Sequence, residues 1–166
     1  MSAQRRTPRP APRSGCRITY RADDVAMPRL DRARVAAVVG AALAEAEAGS
    51  CALNVLFVSD ARSAQLHGQH FADPTPTDVM TFPDGSRDPR DGRTLLGDLA
   101  VGVAVARREA ISRGRPVGDE LTLYILHGVL HLLGYDDRRS AAQRRMWAAQ
   151  RRLLAAVGIA LEVRPD

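Results

Sequence analysis

Apolar residues along the chain occur in short blocks, continuous or alternating with polar residues, and in longer stretches spaced as on one face of a helix. The short blocks predict strands and the longer stretches predict helices. The strands are expected at residues 17–21, 52–59, 77–82 and 95–105, and the helices at 28–49, 60–70, from the end of the last strand to 113, at 119–134 and at 138–157. Because strands and helices interleave, the pattern favours an α+β fold, with a single mixed sheet of about four strands covered by about five helices.

Local signals place the ends of several elements. Pro28 is suited to the first turn of a helix, and Asp60 is a good N-cap for the short helix after the second strand. Gly134 can adopt the left-handed conformation with which many helices end. Residues 84–94 are rich in Gly, Asp and Arg, and we predict that they form an exposed loop.

The net charge of +5 is concentrated at the N-terminus. Residues 1–17 contain five arginines and no acid, so the other residues carry as many acidic as basic side chains. We predict a disordered Arg/Pro-rich tail at residues 1–16 and a single domain at residues 17–166. Two interpretations of the tail stay open: it attracts an RNA backbone through its charge, or it has no role.

The sequence also indicates a cellular location. Cys16 and Cys51 lack the spacing of a metal site, so we expect unpaired thiols in a reducing compartment. No run reaches the roughly 18 apolar residues of a membrane span. No apolar segment follows Arg5 and Arg6 to form a leader peptide. We therefore predict a cytoplasmic protein without a membrane partner.

One segment is the strongest candidate for chemistry. His127 and His131 are four residues apart on a predicted helix, so both imidazoles can point toward a common position. Gly134 allows the chain to turn back, and Asp136 or Asp137 can then supply a third donor. We predict that the two histidines and one of these carboxylates bind a divalent metal ion, with a fourth position open to water.

The donor types indicate which metal and which reaction to expect. Two histidines and one carboxylate form an accepted set for catalytic zinc, which lowers the pKa of a bound water to about 7. Gly128 occupies the position at which zinc proteases carry a general-base glutamate, so peptide hydrolysis is disfavoured and a phosphodiester is a better substrate. A non-haem iron site is the alternative for the same ligand types.

Four other polar residues each allow a structural and a functional interpretation. His67 and His70, near a proline turn, are structural or contact the substrate. Asp78 and Asp98 lie in or beside apolar strand segments, where they cap strand ends or order the surroundings of the metal. We favour the structural interpretation for all four residues.

Three motifs resemble the signature of the YbeY family of endoribonucleases. Residues 127–137 (HGVLHLLGYDD) are similar to its stretch of two histidines, HLLGYD and a third ligand, and depart only at that ligand. Residues 76–83 (PTDVMTFP) resemble its PTDVLSFP strand, and residues 96–99 (LGDL) resemble the LGDI start of its next strand. The order and spacing of the motifs along residues 52–158 also agree with the family.

The resemblance implies a single-strand-specific, metal-dependent endoribonuclease domain at residues 17–166. It implies a part in late-stage 70S ribosome quality control and in maturation of the 3′ terminus of 16S rRNA. One Zn²⁺ per chain would be held by His127, His131 and Asp137, whereas Asp136 would bond to a ligand or cap the next helix. The implied partners are the 16S rRNA precursor and the ribosome or its proteins, and we expect a monomer.

The chain departs from the family pattern at two positions. The third ligand that the resemblance implies is a carboxylate, that of Asp137, as in a subgroup of the family. Phe71 stands where many members carry an arginine that faces the site. If that arginine supplies positive charge to the scissile phosphate, the charge must come from another residue here. The candidates are Arg62, Arg87, Arg90 and Arg93.

A second function remains open from the sequence. The chain would be a non-catalytic, metal-stabilised assembly factor that binds rRNA or a ribosomal protein. Phe71 and the absence of a glutamate at position 128 both favour it. It predicts that removal of the metal unfolds the domain and that RNA is bound without being cut.

Overall fold

The sheet of this protein has four strands and is mixed. The structure, a computed structural model, describes residues 15–162. The strands are β1 (Cys16–Asp23), β2 (Cys51–Val58), β3 (Val79–Pro83) and β4 (Thr94–Gly102). They lie in the order β1-β2-β4-β3, in which β1, β2 and β4 are parallel and β3 is antiparallel to β4.

Five helices accompany the sheet. They are α1 (Arg32–Glu45), α2 (Asp60–Phe71), α3 (Val103–Ser112), α4 (Val117–Leu132) and α5 (Ser140–Ala155). The predicted α+β class, with one mixed four-stranded sheet and five helices, is therefore confirmed for the described residues. None of these helices combines the length and the apolar composition needed to cross a bilayer.

The helix α4 lies at the centre of the core. Its apolar side chains Leu121, Ile125, Leu126 and Val129 are fully buried, and the helix contacts α1, α3, α5, β3 and β4. Burial of one such side chain contributes about 1.5–3 kcal/mol. The element that carries the two candidate histidines is therefore held from several sides.

Two helix starts differ from their prediction. The first helix begins at Arg32 and not at Pro28, because the carboxylate of Asp31 accepts the N–H of Arg34 at 3.0 Å and caps it there. Asp60 is the first residue of α2, and the cap is the Ser59 hydroxyl, which accepts the N–H of Arg62 at 3.1 Å. In both cases the side chain nearest the free N–H groups defines the boundary.

The predicted end of the last strand is also wrong. The strand β4 ends at Gly102, whose N–H donates to the carbonyl of Asp78 at 2.8 Å. A Cβ at Gly102 would lie 2.5 Å from the carbonyl oxygen of Thr77. Only glycine allows the two chain segments to approach this closely, and the helix α3 starts at the next residue.

The loop between β3 and β4 is not wholly exposed as predicted. Asp88 and Arg93 are buried, with 2% and 8% of their surface exposed. Their burial is possible because Asp88 pairs with Arg17 of β1, and because Arg93 donates to the carbonyl of Cys51 and pairs with Asp91. The loop is thus attached to the first two strands.

The predicted tail, residues 1–16, falls for the most part outside the described residues. Cys16 is described, and it is the first residue of β1. It pairs in register with Cys51 of β2, and both are free thiols, as expected from the sequence.

Candidate metal centre

The helix α4 presents two imidazoles from its last two turns. His127 and His131 lie one turn apart, and their rings are nearly perpendicular, with centroids 4.6 Å apart. The two Nε2 atoms are 3.1 Å apart. The four-residue spacing read from the sequence therefore brings one nitrogen of each ring to a common position.

A tight reversal after α4 brings a carboxylate to that position. Gly134 has a φ of +94°, its N–H donates to the carbonyl of His131 at 2.9 Å, and the N–H of Tyr135 donates to the carbonyl of Leu130 at 3.0 Å. This pair of bonds defines a Schellman C-terminus, in which glycine tolerates the left-handed residue. The chain turns back, and Oδ2 of Asp137 lies 3.5 Å from Nε2 of His131.

The opposite nitrogen of each ring is held by an oxygen. Nδ1 of His131 lies 3.1 Å from the carbonyl oxygen of Tyr135, and Nδ1 of His127 lies 2.9 Å from Oε1 of Gln150 on α5. Since these oxygens accept, both Nδ1 atoms donate, which leaves a lone pair on each Nε2. Two lone pairs and a carboxylate oxygen thus face one another, an arrangement that a cation relieves.

The three facing atoms have the spacing of metal ligands. The Nε2 atoms are 3.1 Å apart, and Oδ2 of Asp137 is 3.5 Å and 3.8 Å from them. Ligands at roughly 2.0–2.1 Å from a tetrahedral zinc are about 3.3 Å apart, so the donors fit this ion. Within residues 15–162, no other three His, Cys, Asp or Glu side chains converge in this way. We call His127, His131 and Asp137 the acceptor triad.

Asp136 has a different role in the structure. Its side chain is exposed, and its Oδ1 accepts the N–H of Arg138 at 3.0 Å. The carboxylate therefore caps the turn that leads to α5. The structure thus distinguishes the two acids that the sequence left as alternatives, because only Asp137 lies within the acceptor triad.

The acceptor triad opens into a cavity of about 520 Å³. Its walls include Asp78 at the start of β3, His67 and Phe71 of α2, and Arg138 after the Gly134 turn. The resemblance implies that position 71 faces the site, and α2 accordingly contributes Phe71 and His67 to the lining of this cavity. The cavity is large enough to receive part of a polymeric substrate beside the metal position.

A second cavity, of about 740 Å³, adjoins His127 and contains a buried acid. The carboxylate of Glu120 is 3.6 Å from the guanidinium of Arg113 and 3.5 Å from that of Arg115. Burial raises the pKa of Glu120 above its ordinary value, although the two arginines oppose this shift. These two positive charges are therefore already engaged by an acid of the protein.

Gly128 is explained by packing against the sheet. A Cβ at this position would lie 2.7 Å from Leu99 of β4 and 3.2 Å from Val79 of β3. The residue after the first histidine thus faces the core, where a glutamate has no space. The absence of the protease base is consistent with this orientation of α4.

Asp78 and Asp98 have partners that fit the structural interpretation. Oδ1 of Asp78 accepts the N–H of Val79 at 2.7 Å and the hydroxyl of Thr77 at 3.0 Å, so the carboxylate caps the start of β3. Asp98 is exposed and accepts the amide of Asn54 on β2 at 2.8 Å. Asp78 lines both cavities, whereas Asp98 lines neither.

The remaining histidines lie on α2. Nδ1 of His67 is 2.9 Å from the carbonyl oxygen of Thr75, which ties the helix to the proline turn. His70 is exposed and makes an edge contact with the ring of Phe82, with centroids 5.0 Å apart. His67 therefore has a structural bond and also faces the cavity.

Comparison with known proteins identifies the family. The model of the family described as Endoribonuclease YbeY matches residues 17–158. The chain belongs to the YbeY family. The YbeY endoribonuclease of Kineococcus radiotolerans is 46% identical over 107 residues, which is 61% of this chain and 62%, less than two thirds, of that relative. The YbeY endoribonuclease of Mycobacterium tuberculosis strain H37Rv is 37% identical over 133 residues, 75% of each chain.

A solved structure supports the fold. The solution structure of TM1509 from Thermotoga maritima matches with a TM-score of 0.53 and 24% identity, and the match covers 84% of this chain and 88% of that one. At this identity the likeness concerns the fold alone. The resemblance read from the three motifs is confirmed by the family match.

The structure locates the four arginines that the sequence offered as candidates to replace an arginine at position 71. None of the four lines the cavity of the acceptor triad, where Arg138 is the arginine present. Each donates to a partner elsewhere in the described structure. The partners are Asp23 for Arg62, the Gly92 carbonyl for Arg87, Asp88 for Arg90, and Asp91 for Arg93.

Sequence reasoning also missed the supports of the acceptor triad. Gln150 lies on the buried face of α5 together with Met146 and Leu153, so a polar residue in an apolar helical stripe was an available signal. The Tyr135 carbonyl has no such signal, because every residue carries one. The approach of Phe71 to the cavity depends on the packing of α2.

Proposed function

We propose that this chain is a single-strand-specific, zinc-dependent endoribonuclease that matures the 3′ terminus of 16S rRNA and acts in late-stage 70S ribosome quality control. Membership of a family of endoribonucleases supports the cleavage of RNA. One observation carries the metal dependence: two imidazole nitrogens 3.1 Å apart, each with its other nitrogen bonded to an oxygen, face a carboxylate.

In this proposal the acceptor triad holds one Zn²⁺ per chain. Gln150 and the Tyr135 carbonyl orient the imidazoles, which raises their basicity as ligands. A zinc ion bound by these three residues would supply Lewis acidity for the activation of water and of the phosphodiester. Arg138, on the wall of the same cavity, is placed to attract the RNA backbone.

The partners follow from this activity. The substrate is the 16S rRNA precursor, presented by the ribosome or its proteins, and the enzyme acts in the cytoplasm as a monomer. Single-strand specificity is reasonable for a site of this kind, because unpaired RNA is flexible enough to enter a cavity that a duplex cannot.

The decisive experiment uses the full-length protein and a single-stranded precursor RNA, with a matched duplex as the control. We expect cleavage of the single strand with zinc, loss of cleavage after chelation, and recovery when zinc is returned. The His131→Ala variant should not cleave under any of these conditions. Undiminished cleavage by this variant would exclude the acceptor triad as the reaction centre.

A non-catalytic assembly factor is the second candidate. The observation that favours it concerns the positive charge that lines the two cavities of the described structure: only Arg138 lines the cavity of the acceptor triad, and Arg113 and Arg115 face Glu120 in the other. This candidate requires RNA binding without cleavage at stoichiometric protein, and unfolding when the metal is removed. The same chelation experiment, followed by circular dichroism, separates the two candidates, and elemental analysis distinguishes zinc from iron.

A further inference from the structure

Phe71 is an exposed aromatic side chain beside the candidate metal centre. Its exposed fraction is 51%. Met27 and Ile111 are the other large apolar residues of the described chain that are exposed. Phe71 lines the 520 Å³ cavity of the acceptor triad, and the other two line neither cavity. An apolar ring is thus partly exposed in the lining of the cavity that contains the acceptor triad.

The ring of Phe71 is held in place by other rings. It contacts His67 with centroids 5.5 Å apart and Phe82 of β3 at 6.2 Å, and His70 lies against Phe82. We call His67, His70, Phe71 and Phe82 the aromatic cluster. Phe71 is also the last residue of α2, immediately before Ala72 in a left-handed conformation. These two ring contacts orient the Phe71 side chain before any ligand arrives.

The lining of the cavity combines two kinds of chemistry. It includes the aromatic ring of Phe71, and it also includes the acceptor triad and the guanidinium of Arg138. A nucleotide has a part to match each, since its flat base has an aromatic face and its charged phosphate is attracted by an arginine. The complementarity favours a single nucleotide unit of an RNA chain over a peptide or a lipid, which lacks this pairing of parts.

We infer that Phe71 stacks on an unpaired base next to the scissile phosphate and so helps to select single-stranded RNA. This inference rests on the proposed nuclease function and deepens it. Stacking on aromatic side chains is a general means of holding unpaired bases, and it tolerates different base sequences. In a duplex both faces of each base are covered by neighbouring bases, so the same ring has no face to contact.

The test measures binding of a single-stranded RNA that contains 2-aminopurine, whose fluorescence is quenched on stacking. Full-length proteins carrying His131→Ala are used, so that the RNA stays intact. We expect Phe71→Ala to weaken binding by roughly 5- to 100-fold and to abolish the quenching. Phe71→Trp should retain both properties, and Phe71→Leu should lose them, although it keeps an apolar side chain. Ile111→Ala, an exposed apolar residue outside both cavities, serves as the matched control.

An abasic scan of the RNA tests the contact itself. Removing the base at one position next to the cleavage site should weaken binding as much as Phe71→Ala does. Combining that RNA with Phe71→Ala should produce no further loss, because the two changes remove the same contact. Additive losses would overturn the inference, as would wild-type affinity in the Phe71→Ala or Phe71→Leu variant.

The results also separate this inference from the nuclease function. If Phe71→Ala cleaves RNA with the same KM and kcat as the wild-type protein, the stacking contact alone is refuted. If quenching at one base depends on Phe71 but the wild-type protein never cuts RNA, the nuclease function alone is refuted. If Phe71→Ala and Phe71→Leu melt at the same temperature as the parent protein, their binding losses are assigned to the RNA contact and not to folding.

Discussion

Two polar regions of this molecule differ in how their charges are partnered. In the loop between β3 and β4, Asp88 and Asp91 lie between guanidinium groups, with Arg90 at 2.7 Å from Asp88 and Arg93 at 3.1 Å from Asp91. Arg17 of β1 bonds to both acids. In the acceptor triad, by contrast, three atoms that accept hydrogen bonds face one another. We call Arg17, Asp88, Arg90, Asp91 and Arg93 the loop network.

The difference separates a structural arrangement from one that could hold a metal ion. The loop network joins donors to acceptors within the protein, so Asp88 can be buried without loss of its charge. The acceptor triad has no such donors facing its three atoms, and it remains partly exposed at the wall of a cavity. Four experiments probe this contrast, in decreasing order of their expected effect on RNA cleavage.

The largest effect should come from Asp137→Ala, compared with Asp136→Ala. Replacement of a residue that only supports a metal ligand lowers metal affinity or activity by about 10- to 100-fold. Removal of the ligand itself should therefore lower RNA cleavage by at least about 100-fold. Asp136→Ala removes the adjacent acid, which only caps the turn, and should retain most of the activity. Comparable losses in both variants would show that the turn, and not the ligand, is what matters.

Gln150→Leu should weaken zinc binding through His127. The substitution removes the acceptor of the Nδ1 proton and keeps an apolar side chain of similar size on the buried face of α5. We expect a loss of about 10- to 100-fold in zinc affinity, measured by competition with a chromophoric chelator. Gln143→Leu, two turns earlier on the same helix, is the control. Unchanged zinc affinity in Gln150→Leu would mean that Gln150 does not orient the ligand.

Gly128→Ala should destabilise the packing of α4, the helix that carries the two histidines, against the sheet. Its Cβ would meet Leu99 at 2.7 Å, so the helix must shift or Leu99 must rearrange. We expect a loss of about 1–3 kcal/mol in the free energy of unfolding by urea, with a smaller decrease in cleavage. Gly40→Ala in α1 has no neighbour within 4 Å and should stabilise by about 0.5–1 kcal/mol. If Gly128→Ala leaves the free energy of unfolding unchanged, the contact between α4 and the sheet is adaptable.

Asp88→Asn should affect stability and leave cleavage at neutral pH unchanged. Hydrogen bonds from Arg90, followed by one from Arg17, hold the pKa of Asp88 below its ordinary value. A carboxyl with a lowered pKa stabilises the fold above its unfolded pKa of about 3.9, and this contribution is lost as pH falls through the folded pKa. Thermal melting should thus show a deficit of the variant at pH 7 that narrows below about pH 4. A deficit independent of pH would argue against a role for the charge.

The loop network also shows where sequence reasoning was insufficient. Residues 84–94 have the composition of an exposed loop, and that composition says nothing of Arg17, which lies 71 residues before Asp88. Burial of Asp88 depends on this distant partner. The same limit applies to Arg62, whose partner Asp23 lies 39 residues before it in the sequence. Arg87, Arg90 and Arg93, by contrast, donate to groups that are near in the sequence.

The local parts of the acceptor triad were accessible from the sequence alone. The spacing of His127 and His131 and the glycine at position 134 act over one or two helical turns, where backbone geometry decides the direction of a side chain. The fold class followed in the same way from the periodicity of apolar residues. The tertiary structure alone decided that Gln150 orients His127 across 23 residues and that the ring of Phe71 contacts that of Phe82 beside the same cavity. These contacts join separate elements, and their geometry results from the packing of α2, α4 and α5 around the sheet, which no short segment of sequence encodes.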